Sequence, residues 1–143
     1  MGNKYDYYYF AMKNYNFLKM AVTCNSDDYD SMVVLCQQFL ECYLKHLLEV
    51  TQGKSARHHK LVLLANQLGF SELDKYEDFF RKVQEYYFDK RYPGECYVLT
   101  KKEEFESTLK TTEEVKVILD KILEKSKGTV RFEQQGLFNN FKK

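Results

Sequence analysis

Apolar residues recur along the chain at three-to-four-residue spacing in five stretches, without the strict alternation of half-buried strands. Ala11, Tyr15, Leu18 and Val22 form the first stripe and predict a helix from about Lys4 to Val22. The capping and turn residues of "CNSDDYDS" end it. The second stretch, "SMVVLCQQFLECYLKHLLEV", has the widest apolar face: Cys36, Phe39, Leu40, Tyr43, Leu44, Leu47 and Leu48. That width predicts the central helix of a bundle. Asp30 or Ser31 is its expected N-cap, and Gly53 supplies the left-handed residue beyond its end.

A short third helix is expected over "HHKLVLLANQLGF", ending at Gly69. The fourth is expected to start at an N-cap Ser71, bury Leu73, Tyr76, Phe79, Phe80, Val83 and Tyr87, and stop at "RYPG". Pro93 is the only proline in the chain. A residue before proline is driven out of the helical region, so Pro93 reads first as a helix stop. The fifth helix has a capping box, Thr100 to Glu103, an apolar stripe of Phe105, Leu109, Val115, Ile118, Leu119 and Ile122, and an expected end at Gly128. Short loops between such helices predict an all-α, antiparallel up-and-down bundle of four to five helices over residues 1–128, followed by a tail, 129–143, that is a frayed end or an arm for a partner.

Composition agrees. One Pro and 6 Gly in 143 residues leave too few turn residues for a sandwich or barrel. Hydrophobic residues at 44% support a packed core rather than disorder. The formal net charge of +1 excludes a polyanion binder acting through bulk charge, so any phosphate site must be local. Cys24, Cys36, Cys42 and Cys96 form no C-x-x-C pair, which suits a reducing cytoplasm. The start, "MGNKYDYYYF", lacks the pattern of a secretory signal, and Asp6 stands where a myristoylation signal wants Ser or Thr. No apolar run is long enough to span a membrane.

Two local features suggest chemistry. Lys54, Arg57, His58, His59 and Lys60 cluster before the third helix, and Lys90, Arg91 and Tyr92 end the fourth. In an up-and-down bundle both lie at one end, expected to be shared with the end of the second helix. His59 and Lys60 at a helix start would favour an anion. The competing reading is a solvated basic loop in which His59 merely caps the helix. Weaker alternatives are a metal on His46, His58 and His59, a Cys42–His46 nucleophile, and base stacking by Tyr7, Tyr8, Tyr9 and Tyr15.

Four stretches in order resemble the HEPN domain family, named for higher eukaryotes and prokaryotes and for nucleotide binding. "FLECYLKHLL" is similar to its EKxLKALL stretch, "HHKLVLLANQLG" to its H-D-L-x-x-L segment with His59 in the histidine place, and "YYFDKRYPG" to its Y-x-x-x-R-Y-P ending. "ECYVLTKKEEFESTLKTTEEVKVIL" is similar to the amphipathic helix that follows. Lys60 departs from the family pattern, standing where Asp is usual. The resemblance implies a homodimeric helical bundle. It also implies one of three roles: a nucleotide-binding module, an accessory partner of a small nucleotidyltransferase, or an RNA-cleaving toxin of a toxin–antitoxin pair.

The toxins resemble metal-independent RNases with Arg, four to six residues, then His. No such spacing occurs in this chain; the only arginine before the last histidine, His59, is Arg57, two positions away. The expectation is therefore a non-catalytic module with no catalytic residue, metal or cofactor, binding a nucleotide, phosphate or RNA through His59, Lys60, Arg57, Arg91 and Tyr92. A divergent RNase and a purely structural dimerisation module are the alternatives.

Overall fold

Residues 4–141 are described by the structure, a computed structural model, with side chains as far as 127. The chain folds as a helical bundle with no strand among the described residues. The elements are α1 (Tyr7–Thr23), α2 (Tyr29–Gln52), α3 (Leu61–Leu68), a 3-10 segment (Ser71–Tyr76), α4 (Glu77–Gln84), α5 (Tyr86–Asp89) and α6 (Lys102–Phe141).

Local chemistry accounts for the ends. Asp6 caps α1 by accepting from the Tyr9 N–H at 2.9 Å. Asp28, rather than Asp30 or Ser31, caps α2, accepting from the Ser31 N–H at 3.1 Å and its hydroxyl at 2.6 Å. Gly53 and Gly69 close α2 and α3 at φ 64° and 74°, as expected of left-handed caps. Every residue from Phe39 to Leu48 is buried, so α2 is the central helix and is enclosed on all sides over that span. Leu18 of α1, Leu61 and Leu64 of α3, Phe80 of α4 and Leu119 of α6 complete the core with Phe39, Tyr43 and Leu44.

The direction of each helix follows from its cross-contacts. α1 runs antiparallel to α2, since Tyr8 packs on Tyr43 and His46 while Tyr15 packs on Phe39. α6 runs alongside α2 in the same direction: Tyr29 stacks on Phe105, and the Tyr43 hydroxyl donates to Asp120 at 2.6 Å. Two contacts correct the expected layout around α3. The Gln52 amide donates to the carbonyls of Gln67 and Leu68, whereas His59 sits beside Glu41, deep in the middle of α2. The end of α2 therefore lies by the end of α3, not its start. Gly53 turns the chain, and residues 53–60 run back along α2. Eight extended residues reach about 26 Å, enough to descend half of a helix about 36 Å long.

The expected fourth helix is an arm in three pieces, Ser71–Asp89, and Ser71 does not cap it; the cap position is Phe70, without a side-chain bond. The arm returns antiparallel to α3, with the Val62 N–H donating to Gln84 at 3.1 Å. Helix ends at Asp89 with Lys90 as cap, ahead of an exposed Pro93. The next loop starts and finishes at one residue of α2, Asp30. Its carboxylate accepts from the Thr100 N–H at 2.8 Å and the Tyr97 hydroxyl at 2.7 Å, and pairs with Lys90 at 3.6 Å. Lys90 also donates to the Val98 carbonyl. The capping box accordingly does not form: the Thr100 N–H that Glu103 would accept is given to Asp30, and the helix starts at Lys102.

α6 continues through Gly128 to Phe141. One glycine costs a helix about 1 kcal/mol relative to alanine, too little by itself to stop a helix already several turns long. Whether the segment from 129 packs on a partner concerns side chains outside the described residues, as do Met1 and Gly2.

Candidate functional site

Gln37, Glu41 and Lys45 stand four residues apart and form a single polar stripe on the enclosed helix α2. All three are buried. A buried charge is tolerated only when paired and hydrogen-bonded, and Glu41 receives three donors. Gln37 Nε2 donates to Oε1 at 2.8 Å, while Lys45 Nζ at 3.2 Å and His59 Nδ1 at 2.9 Å share Oε2. Lys45 also lies over the ring of Tyr7, 5.5 Å from its centroid.

His59 carries this buried anchor to the surface. Its side chain is 40% exposed against 7% for Glu41. A carboxylate oxygen only accepts, so the bond places the proton on Nδ1 and leaves Nε2 as the ring nitrogen that Glu41 does not hold. One face of the imidazole stacks on Tyr87 of α5, centroids 4.1 Å apart at 13°. The Arg91 guanidinium lies against the same tyrosine, 4.6 Å from its centroid. The arm and the returning loop 53–60 thus bring a histidine and an arginine, distant in sequence, onto one aromatic ring.

Of the sequence candidates, His59 and Arg91 each pack on Tyr87. Arg57 and Lys60 are exposed on the same loop. Lys60 occupies the cap position of α3, with no side-chain cap bond, and its N–H donates to His58 Nδ1 at 3.2 Å, so His59 is not the cap. Tyr92 is 57% exposed, stacks on Phe88, and lines a separate open groove with Pro93, Tyr97 and Glu104. The contact Arg91 makes is with Tyr87 rather than with Asp89 or Glu95, among the described residues.

Several residues of the weaker alternatives are taken up in packing. The Cys42 thiol is buried, which pushes it up to about 11, the reverse of an activated nucleophile. His46 is buried against Tyr8, and burial holds its pKa below 6.5 despite Asp6 at 3.9 Å. Tyr8 and Tyr15 pack on Tyr43 and Phe39, while Tyr9 is exposed beside Tyr5 and Phe10. Among the described residues no group of three or more His, Cys, Asp or Glu is arranged to hold a metal, and no helix is long and apolar enough to cross a membrane.

Sequence reasoning missed Gln37, Glu41, Lys45 and Tyr87. The signal was present. Three polar residues at four-residue spacing inside a helix apolar on its other faces mark an internal stripe, and Glu41 and Lys45 lie in the stretch quoted above for its family resemblance. Tyr87 looked like a core position at helical spacing.

Among curated proteins and among solved structures no match to the chain was found. The family model of the HEPN domain matches residues 14–122, a span that includes α2, the buried Glu41 and the His59–Tyr87–Arg91 stack. With well over half of its length matched in this way, the chain belongs to the HEPN domain family.

Proposed function

We propose that the protein is a non-catalytic HEPN module that binds a nucleotide or phosphate group at His59 and Arg91. It acts as a homodimer in the cytoplasm, beside a small nucleotidyltransferase partner. The observation that carries this reading is the joint seating of His59 and Arg91 on Tyr87. An arginine held against a ring has lost much of its rotamer freedom before a ligand arrives and offers a forked pair of donors. Exposed Arg57 and Lys60 add positive charge on the His59 loop. The missing Arg-to-His spacing of the RNases supports the absence of catalysis. The unpaired, exposed Cys24 and Cys96 suit a reducing compartment.

A second reading, a divergent RNase, draws on the same packing of His59 and Arg91 on Tyr87, since RNA cleavage needs one group to move a proton and one to stabilise phosphate charge. The two separate in a single experiment: a nucleotide panel titrated into the protein, alongside an RNA cleavage assay without metal. The proposal expects saturable nucleotide binding and no cleavage above background. Cleavage abolished by His59→Ala in folded protein would establish the RNase; absence of binding by every nucleotide would overturn the proposal.

A further inference from the structure

We infer that anion binding at His59 is coupled to uptake of one proton on its Nε2, so that the site tightens as the pH falls. This rests on the reading of His59 and Arg91 as an anion site. Glu41 takes the Nδ1–H, and the stack on Tyr87 fixes the ring plane, so the imidazole cannot turn over to present its other nitrogen without losing the 2.9 Å bond. In the neutral ring Nε2 is then a lone pair. The oxygens of sulfate, like those of a fully ionised phosphate ester, also only accept, so the neutral Nε2 has nothing to give them. A proton from solvent converts Nε2 into a donor.

The charges packed around the ring come from three elements. On α2, Glu41 is already balanced by Lys45. On the arm, Tyr87 is uncharged and Arg91 is positive; on its own loop, Arg57 and Lys60 are positive and His58 adjoins the Lys60 N–H. These positive groups favour an anion, and a proton on Nε2 adds a donor for it. By linkage, whatever proton uptake strengthens the anion, the anion strengthens in return. The bound state holds the extra proton, so affinity rises as pH falls, by up to about tenfold per pH unit. Glu41 is thereby a positioning residue: it selects which nitrogen faces the ligand.

Sulfate is the probe, because its charge stays constant where phosphate's does not. Calorimetric titration of the full chain at pH about 8 and about 6, in two buffers of different ionisation heat, reads affinity and proton uptake together. The expected result is tighter sulfate binding at the lower pH, a proton uptake dependent on buffer heat, and a flat pH response in His59→Gln, whose amide donates at any pH. Nitrogen-15 spectra of the ring should show Nδ1–H in the free protein, a readout that needs neither ligand nor variant. Sulfate binding equally tight at both pH values, or an Nε2–H ring in the free protein, would overturn the inference while leaving the anion site standing. No sulfate binding at either pH would overturn the anion site itself, and the inference with it.

Discussion

The imidazole of His59 lies flat on the ring of Tyr87, 4.1 Å between centroids, and its Nδ1 is held at 2.9 Å by the buried carboxylate of Glu41. One residue of the surface loop is therefore fixed by two elements at once, the central helix and the arm. Sites held this way lose little freedom on binding, which is the physical basis for reading the stack as functional rather than incidental.

Glu41 should be the most sensitive charged position in the bundle. Glu41→Ala leaves Lys45 buried without its partner, and breaking a buried pair costs about 3–5 kcal/mol. Glu41→Leu combined with Lys45→Met removes both charges and should recover most of that loss. Urea unfolding of the wild type, the single and the double variant checks the order; a double variant less stable than the single would contradict it.

Asp30 should govern the loop 91–99. Burial works to raise its pKa, but the bonds from Thr100 and Tyr97 and the Lys90 charge together outweigh it and hold the carboxyl below its ordinary value. Asp30→Asn should cost about 1–3 kcal/mol at neutral pH. A lowered folded pKa gives stability that is present above the ordinary carboxylate value and lost as pH falls through the lowered one. The wild-type advantage should accordingly begin to shrink below pH about 4 and be gone once the pH has passed the lowered value. The loop should also become a faster trypsin target at Arg91, readable by mass spectrometry.

Much of this fold was legible in local chemistry. Gly53 and Gly69 were readable as caps because only a left-handed residue closes those helices, and the breadth of the α2 stripe identified the central helix. Longer-range relations were not readable. Asp28, Asp30 and Ser31 are all good cap residues, but Asp30 is taken by Thr100 and Tyr97, and Ser31 donates to Asp28. The Thr100–Glu103 box lost to Asp30, a competitor far away in sequence that no local pattern reveals. The doubling back of 53–60 has no sequence signal, since Gly53 permits a turn without giving its direction. His59 and Arg91 were legible as candidates, but the ring that joins them was hidden as a presumed core tyrosine.

The four thiols should divide into two classes. Burial pushes Cys36 up to about 12 and Cys42 up to about 11, while Cys24 and Cys96 are exposed. A disulfide reagent at neutral pH should label Cys24 and Cys96 quickly and Cys36 and Cys42 only as fast as the bundle opens. Four equal rates in folded protein would contradict the core described here.

His46 should make stability fall in mild acid. Its folded pKa lies below 6.5, so the unfolded chain binds the proton first as pH falls. The contribution is complete above pH about 6.5 and is lost below it. The melting temperature should drop between pH about 7.5 and about 5.5, and His46→Gln should flatten part of that drop. An identical pH dependence in both proteins would remove His46 from the account.

Arg91 provides the most direct measurement. Nucleotide affinity and melting temperature should be recorded together for the wild type and Arg91→Lys. If Arg91 is a ligand residue, the exposed lysine keeps the charge but loses the fork: melting should stay nearly unchanged while binding weakens by about 1–3 kcal/mol. Unchanged affinity with a clear fall in melting temperature would show that Arg91 braces Tyr87 for folding alone, and the ligand site proposed at His59 and Arg91 would have to be given up.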